Sequence, residues 1–232
     1  MKVGTTNITI TGNTTVKKDG AIFGANMALT NEDSVNTSAN NTNIYIDGSA
    51  NLSIDAIYGG AFRRGAVAYG TSISFVNCDA ADYFGKISGD SESATGSISY
   101  VGGNRILNVK DSVLVAGDIS FFDVVELEGA SASAMTSDLD AVSEWNLTFN
   151  GMDTFFDFGK GTIDFNGDSL NLTDFTDGST VFKGDFSAFD SIDDLGAVIS
   201  FFKKDDDGKR VRIDGFELSF NEDKSAILAQ LA

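Results

Sequence analysis

The sequence predicts an all-β protein, a parallel β-solenoid (β-helix) with a C-terminal continuation rich in β-hairpins. Three observations lead to this prediction. Apolar and polar residues alternate in short segments along most of the 232 residues, glycine, asparagine and aspartate separate these segments, and proline is absent. Alternation with a period of two residues indicates strands that have one buried face, and the separating residues are those that tolerate tight turns.

The alternating segments define the predicted strands. They occupy 7–11, 43–47, 51–55, 71–76, 96–101, 105–109, 112–116, 118–122, 124–128, 145–149, 162–165, 169–172, 197–202, 210–214 and 216–220. Polar loops at 203–209 and 221–224 lie between apolar segments and predict two hairpins, so the last segment, 225–231, is predicted to be a strand. Short helical turns are the alternatives at 130–145 and 187–198.

Similar strings that contain an apolar-polar-apolar pattern recur along the chain and predict a repeat. Aligned on Ile73, Ile98, Ile119 and Leu147, they follow one another after 25, 21 and 28 residues. Spacings of roughly 20 to 30 residues are typical of one coil of a β-solenoid. A β-sandwich also has short strands at regular spacing and is the alternative. The abundant turn asparagines favour the solenoid, because asparagine side chains can stack from one coil to the next.

Composition changes near the middle of the chain and predicts two regions. Residues 1–116 contain 10 acidic and 8 basic residues, whereas residues 117–232 contain 24 acidic and 8 basic residues. Phenylalanine rises from 4 to 15 and asparagine falls from 12 to 5 across the same boundary. We therefore expect Asn- and Gly-rich solenoid coils over 1–116 and an acidic, Phe-rich β continuation ending in hairpins over 117–232. One continuous domain is the alternative.

Absent and rare residues restrict the possible functions. The chain has no histidine, which excludes Ser-His-Asp and Cys-His nucleophile systems and His-ligated zinc sites. A net charge of −18 argues against nucleic acid and anionic membrane surfaces as partners. No apolar stretch reaches the ~18 residues of a membrane-spanning segment. The single cysteine, Cys78, follows an alternating apolar segment and is predicted to be a small buried side chain rather than a nucleophile.

Two acidic segments have the composition of calcium-binding loops. The first, 203–210, lacks the ligand spacing of an EF-hand, because aligning Gly208 with the required glycine places Lys203 at the first ligand position. We predict a solvated hairpin turn there. The second segment contains four aspartates near glycines, Asp164, Asp168, Asp174 and Asp177. It lacks the glycine-aspartate nonapeptide repeat, so we expect diffuse binding of cations rather than a specific calcium site.

Two groups of residues are candidates for polysaccharide chemistry. Glycoside hydrolysis requires two carboxyl groups about 5 to 10 Å apart, and the candidates are Asp190, Asp193 and Asp194. A lyase requires a basic residue, and the candidates are Arg105, Arg210 and Arg212. With 34 acidic residues in the chain, neighbouring acids also arise by chance. The sequence therefore assigns no catalytic, cofactor-binding or metal-binding residue.

The segment 58–70 is the candidate for ligand binding. It combines turn glycines with aromatic and basic side chains, namely Tyr58, Phe62, Arg63, Arg64 and Tyr69. Aromatic rings beside guanidinium groups suit stacking on a sugar or contact with an acidic partner. We predict instead that this segment is a solenoid turn whose aromatic side chains pack inward.

The segments 22–28 (IFGANMA), 51–62 (NLSIDAIYGGAF) and 72–77 (SISFVN) resemble the repeats of bacterial autotransporter passengers and related surface β-helix proteins. The resemblance implies a non-enzymatic, extracellular structural or adhesin-like segment of a bacterial surface or secreted protein. Its implied partners are host or matrix glycans or proteins. Residues 1–12 lack the apolar segment of a signal peptide, so the chain is expected to be either a cytosolic protein or a fragment of a longer precursor, and the resemblance favours the fragment. The alternative function is a carbohydrate-active β-helix enzyme that uses aspartate clusters.

Overall fold

The computed structural model has an all-β fold. It describes residues 2–11, 20–25, 38–48, 52–61, 65–67, 69–91, 99–139, 142, 144–148, 154–159, 169–171, 179–195, 198–199, 201–213 and 215–231. Apart from a short 3-10 turn at Ile192–Leu195, the regular structure of these residues consists of strands. The predicted all-β class is confirmed.

The strands are numbered in chain order. They are β1 (Lys2–Ile10), β2 (Ala21–Phe23), β3 (Ser38–Asp47), β4 (Ser53–Tyr58), β5 (Gly65–Val67), β6 (Gly70–Val76), β7 (Tyr83–Ser88), β8 (Ser99–Val101), β9 (Asn104–Lys110), β10 (Val113–Ser120), β11 (Val124–Glu128), β12 (Ser131–Asp138), β13 (Glu144–Thr148), β14 (Phe155–Asp157), β15 (Ser169–Asn171), β16 (Ser179–Lys183), β17 (Val198–Ile199), β18 (Phe201–Lys204), β19 (Arg210–Ile213), β20 (Phe216–Phe220) and β21 (Ala226–Leu231).

These strands form two sheets, and the chain passes back and forth between them. The first sheet has the order β17-β15-β13-β11-β9-β6-β3-β5-β8, with β1 also paired to β3 and β18 paired to β13 and β19. The second has the order β2-β4-β7-β10-β12-β14-β16-β21-β20. Neighbours pair in parallel except in β18/β19, β16/β21 and β20/β21. Parallel sheets and the two predicted C-terminal hairpins are therefore confirmed.

The core lies on the inner faces of both sheets, where apolar side chains stack in columns. One column of the first sheet contains Ile44, Ile73, Leu107, Val125 and Trp145. One column of the second contains Ile57, Ile87 and Ile119. Each of these side chains is buried. Because every column places a side chain on its counterpart in the next strand, burial of one depends on its neighbours in the stack.

The predicted repeat spacing is wrong. It aligned Ile73 and Leu147, which lie in the first sheet, with Ile119, which lies in the second; Ile98 lies outside the described residues. Along the first-sheet column, 29 residues separate Ile44 from Ile73 and 34 separate Ile73 from Leu107. The next step, from Leu107 to Val125, is only 18 residues. The connecting loops differ in length, so no single period describes the chain.

Several strand boundaries also differ from the prediction. A single strand, β10, replaces the predicted pair at 112–116 and 118–122 and passes through the compositional boundary at residue 117. The segment 131–138 is a strand that was not predicted. The helical turn predicted in 130–145 would follow Ser137, where residues 140, 141 and 143 lie outside the described residues. The alternative prediction of a helical turn within 187–198 is confirmed by the 3-10 turn at Ile192–Leu195. The predicted strand at 162–165 lies outside the described residues.

Turns from the first sheet to the second stack in register. Asn77, Asp111 and Gly129 follow β6, β9 and β11, and their φ angles are 55°, 46° and 52°. The Asn77 amide donates to the Lys110 carbonyl at 3.2 Å, and the Asp111 amide donates to the Glu128 carbonyl at 2.8 Å. Glycine, asparagine and aspartate are the residues that best tolerate positive φ, which explains why they occupy this corner.

Turns from the second sheet back to the first stack through glycines. The amides of Gly24, Gly59 and Gly89 each donate to a carbonyl of the strand that follows in the stack, at 2.9, 2.8 and 3.1 Å. A Cβ on Gly24 would collide with the Gly59 carbonyl oxygen, and a Cβ on Gly59 would lie 2.8 Å from the Gly89 carbonyl oxygen. The absence of a side chain therefore permits the close approach of these turns.

Candidate functional site

A cleft opens on the outer face of the first sheet, across β3, β6 and β9. The register places Asn41, Gly70 and Asn104 in one row. Gly70 pairs with Asn104. Thr71 pairs with Thr42, so Gly70 lies opposite Asn41 on the other side. Because the middle position has no side chain, a gap remains between two asparagines that lie two strand spacings, about 9.6 Å, apart. Gly70 forms the floor of this gap.

The backbone at the floor requires glycine. Gly70 has a φ of 134°, a conformation that side-chain-bearing residues rarely adopt. A Cβ at this position would lie 2.5 Å from the Asn104 carbonyl oxygen. The gap between the two asparagines is thus fixed by the backbone and cannot be filled by a larger residue without moving β9.

Tyr69 stands beside the floor at the break between β5 and β6. Its amide donates to the Asn40 carbonyl at 2.8 Å, which fixes its backbone against β3. Its side chain is 68% exposed. The prediction that the aromatic side chains of 58–70 pack inward is therefore wrong for Tyr69, because the strand break turns this residue to the outer face.

The next row also borders the cleft, with polar side chains on β3 and β6 and Ile106 on β9. Asn43 and Ser72 pair across β3 and β6. The Asn43 amide nitrogen donates to Asn7 Oδ1 at 2.9 Å, and Asn108 Nδ2 donates to Ser72 Oγ at 3.1 Å. These bonds run along the stack, from strand to strand, and hold the outer-face side chains in place beside the cleft.

The cleft carries no charged group. Its volume is about 500 Å³, and its lining residues carry amide, hydroxyl, phenol, methyl and backbone groups but no carboxyl, amino or guanidinium group. The side-chain amides of Asn41 and Asn104 make no hydrogen bond within the described part of the chain. This volume lies in the range of roughly 300 to 1,000 Å³ that small-ligand sites have. The cleft therefore offers free donors and acceptors to a ligand.

The remainder of the 58–70 segment does not join the cleft. Tyr58 stacks on Phe23 with ring centroids 5.2 Å apart and an interplanar angle of 3°. Both residues belong to the second sheet, at β4 and β2. Phe62, Arg63 and Arg64 lie outside the described residues.

Arg105 is held by carboxylates and has the wrong protonation state for a lyase base. Its Nε donates to Asp123 Oδ2 at 2.8 Å, and its Nη2 donates to Asp123 Oδ1 at 2.5 Å. Its Nη1 lies 3.6 Å from Asp90 Oδ2. The hydrogen bonds to Asp123 raise the pKa of the Arg105 guanidinium. A guanidinium that stays protonated cannot accept a proton, so Arg105 ties β9 to the turn before β11. Of the other two basic candidates, Arg212 is exposed, and the side chain of Arg210 lies outside the described part of the structure.

The candidate acids for glycoside hydrolysis are surface residues of the loop after β16. Asp190, Asp193 and Asp194 are exposed. Asp194 Oδ2 accepts a hydrogen bond from the Ser191 amide at 2.7 Å, and Ser191 Oγ accepts one from the Asp193 amide at 3.2 Å. These bonds stabilise the 3-10 turn at Ile192–Leu195. The loop is far along the chain from the cleft, which takes its lining from residues before Leu107.

The acidic loop at 203–210 forms the predicted hairpin turn between β18 and β19. Asp205 Oδ1 accepts hydrogen bonds from the Asp207 and Lys209 amides at 3.1 and 2.8 Å. Gly208 adopts a φ of 76°. The Asp205 carboxylate thus satisfies turn amides. Asp164, Asp168, Asp174 and Asp177 lie outside the described residues. Within the described residues, no group of three or more acidic or thiol side chains is placed to hold a metal ion.

Cys78 is buried at the corner after β6, as predicted. Its amide donates to Ser112 Oγ at 3.0 Å. Burial raises the pKa of the Cys78 thiol to about 12, with a further contribution from the carboxylates of Asp82 and Asp47. A thiol with so high a pKa is inert at neutral pH.

Sequence reasoning identified Tyr69 but missed Asn41, Gly70 and Asn104 as its companions. The one available signal was the string AYGTS at 68–72, in which glycine follows tyrosine inside an apolar-polar alternation. A glycine inside a strand often marks a bulge or a close approach.

Comparison of the chain with models of protein families, with curated proteins and with solved structures finds no match. Among the described residues, no helix has the length and apolar character that crossing a membrane requires. Within the part of the chain that the structure describes, the cleft is the feature from which the functional proposal starts.

Proposed function

We propose that the chain is a parallel β-solenoid that serves as a non-enzymatic, extracellular structural or adhesin-like segment of a bacterial surface or secreted protein. In this proposal each passage through the first and second sheets is one coil. Successive coils lie about 4.8 Å apart and are joined by hydrogen bonds between their strands. The antiparallel strands β20 and β21 cover the C-terminal end of the second sheet.

Two features support the solenoid. The strands of the two sheets alternate along the chain between β9 and β17, as expected when each coil contributes one strand to each sheet. The turns at both corners also stack: Asn77, Asp111 and Gly129 share positive φ at one corner, and Gly24, Gly59 and Gly89 follow one another at the other. A β-sandwich has no need for turns of the same conformation one above another.

A deletion tests the stacking. Removing residues 110–127 takes out one 18-residue step between the paired residues Val109 and Leu127, so a solenoid would lose one coil and keep its register. Because stability in stacked repeats is a sum over neighbours, the shortened protein should fold with a strand-dominated circular dichroism spectrum and a modestly lower melting temperature. The control deletes only 110–118. Because this is an odd number of residues, it moves the following inward residues to outward positions, and the control should not fold. Equal behaviour of the two deletions would contradict the solenoid.

The binding role is supported by the chemistry of the cleft. Its lining presents donors, acceptors and an exposed aromatic ring on the outer face of a sheet. It contains no pair of carboxyl groups, which glycoside hydrolysis requires, and no group that acts as a base near neutral pH. Such a surface suits recognition rather than turnover, and this is the observation on which the proposal rests.

Surface location and lack of turnover are tested together. Antibodies raised against the purified chain should label intact cells of the source organism, and external protease should remove the label. The purified chain should release no reducing ends or unsaturated products from neutral or acidic polysaccharides. Label that appears only after lysis would contradict the surface assignment. Turnover abolished by Asp193→Ala or Asp194→Ala would instead establish the alternative, a carbohydrate-active enzyme.

A further inference from the structure

We propose that the cleft above Gly70 binds a neutral saccharide, held by the Tyr69 ring and by the side-chain amides of Asn41 and Asn104. The inference rests on the proposed function, since it assigns the ligand class that an adhesin-like segment would bind at this site. It follows from three properties of the cleft: the unused amides, the exposed ring and the absence of charge.

The asparagine amides match the hydrogen-bonding character of sugar hydroxyls. Each hydroxyl is both a donor and an acceptor, and each amide offers two N–H donors and a carbonyl acceptor. Asn41 and Asn104 lie on opposite sides of the Gly70 floor, about 9.6 Å apart across two strand spacings, and have no hydrogen-bond partner within the described residues. A sugar ring that lies over Gly70 can therefore place hydroxyls from its two opposite edges against the two amides.

The Tyr69 ring supplies the apolar contact. The C–H groups on one face of a sugar ring carry partial positive charge, and the face of an aromatic ring carries partial negative charge. The side chain is 68% exposed and its backbone is tied to β3. The ring thus stands at the side of the cleft with its surface accessible to a ligand, on a backbone that the bond to the Asn40 carbonyl holds in place.

The lack of charge at the cleft favours neutral over acidic saccharides. The lining has no basic group to pair with a carboxylate or sulfate. The region that contains the cleft, residues 1–116, has 10 acidic and 8 basic residues, so it gives an anion no net attraction either. A neutral ligand needs no such partner.

Saturation-transfer NMR with the full chain tests this assignment. The probes are neutral gluco-, manno-, galacto- and N-acetylglucosamine oligosaccharides, with oligogalacturonate as the acidic counterpart. At least one neutral probe should bind, and oligogalacturonate should not. Tyr69→Ala should weaken the affinity at least tenfold. Asn41→Ala and Asn104→Ala should each weaken it about threefold to tenfold, the effect of one hydrogen bond.

Tyr83→Ala is the matched control. Tyr83 is a 49% exposed tyrosine on the second sheet, so its removal should leave binding unchanged. Because Tyr69 is exposed, Tyr69→Ala should also keep the melting temperature within about 2 °C of the parent, as surface changes do. Binding that survives Tyr69→Ala, equal binding of oligogalacturonate, or no binding of any neutral probe would overturn the assignment.

Two further outcomes separate this inference from the proposed function. Self-association that Tyr69→Ala abolishes, without saccharide binding, would assign the cleft to a second copy of the chain and overturn the inference. Saccharide binding at the cleft by a protein that antibodies detect only inside cells would support the inference and contradict the surface function.

Discussion

Replacing Gly89 with alanine is expected to lower the melting temperature by roughly 6 to 12 °C, the equivalent of about 3 kcal/mol in a chain of this size. The physical reason is the tight stacking of turns at the corner between the second and first sheets. A Cβ on Gly89 would collide with the Phe121 carbonyl oxygen and would lie 2.9 Å from Arg105 Cβ and from Phe122 Cδ1. Overpacking of this kind typically costs about 1 to 3 kcal/mol, and here a backbone atom blocks relief.

Gly4→Ala is the control for this prediction. Gly4 lies in β1, and a Cβ there would meet nothing within 4 Å. A glycine-to-alanine change without strain reduces the entropy of the unfolded chain and is neutral or stabilising by up to about 1 kcal/mol. Thermal unfolding of both variants checks the comparison. A Gly89→Ala protein as stable as the Gly4→Ala protein would show that the turns are further apart than this stacking requires.

Cys78 is expected to react with a disulfide reagent at least 1,000 times more slowly in the folded protein than in urea. At pH 8 a thiol with a pKa of about 12 is about one ten-thousandth thiolate, whereas an unperturbed thiol with a pKa near 8.5 is roughly a quarter thiolate. The thiolate is the reactive form, and burial also denies access to the reagent. The control combines Cys78→Ala with Ala80→Cys, which places a thiol at an exposed position of the same turn and should react rapidly.

The same raised pKa makes stability depend on alkaline pH. The unfolded chain releases the Cys78 proton near pH 8.5, while the folded protein keeps it until about pH 12. The unfolded state therefore binds fewer protons between these values, and the free energy of unfolding falls as pH rises. From pH 8 to pH 10 this contribution is about 2 kcal/mol. The Cys78→Ala variant lacks this contribution. The difference in free energy of unfolding between the parent and the variant should therefore shrink by about 2 kcal/mol from pH 8 to pH 10. If the free energies of unfolding of the two proteins ran parallel between pH 8 and pH 10, this prediction would be wrong.

The sequence alone determined the all-β class and most strands of the first sheet. Inward side chains there alternate with a period of two, as in Ile44 and Ile46 of β3 and Leu107 and Val109 of β9. This pattern is local and can be read without knowing which strands pair. The terminal hairpins were also predicted, because each is formed by two adjacent apolar segments and a short polar loop.

Five strands of the second sheet were missed, namely β2, β7, β12, β14 and β16, and β4 was predicted with other bounds. Several strands of this sheet break the period of two. Two consecutive outward residues separate the inward pairs Ile54 and Ile57 in β4, and the same spacing recurs in Phe84 and Ile87 of β7. In β12 the inward positions are filled by small residues, in the segment Ser131–Asp138. Stacking on the neighbouring strands, rather than local hydrophobicity, keeps these segments extended.

Only the tertiary structure decided the register and the cleft. Asn41, Gly70 and Asn104 belong to three strands, and the loops between those strands have different lengths, so no fixed sequence spacing brings them together. The sequence supplied a tyrosine beside a glycine. The pairing of β3, β6 and β9 placed free amides on both sides of that glycine, because parallel register is set by burial of the inward columns, which are distant in sequence.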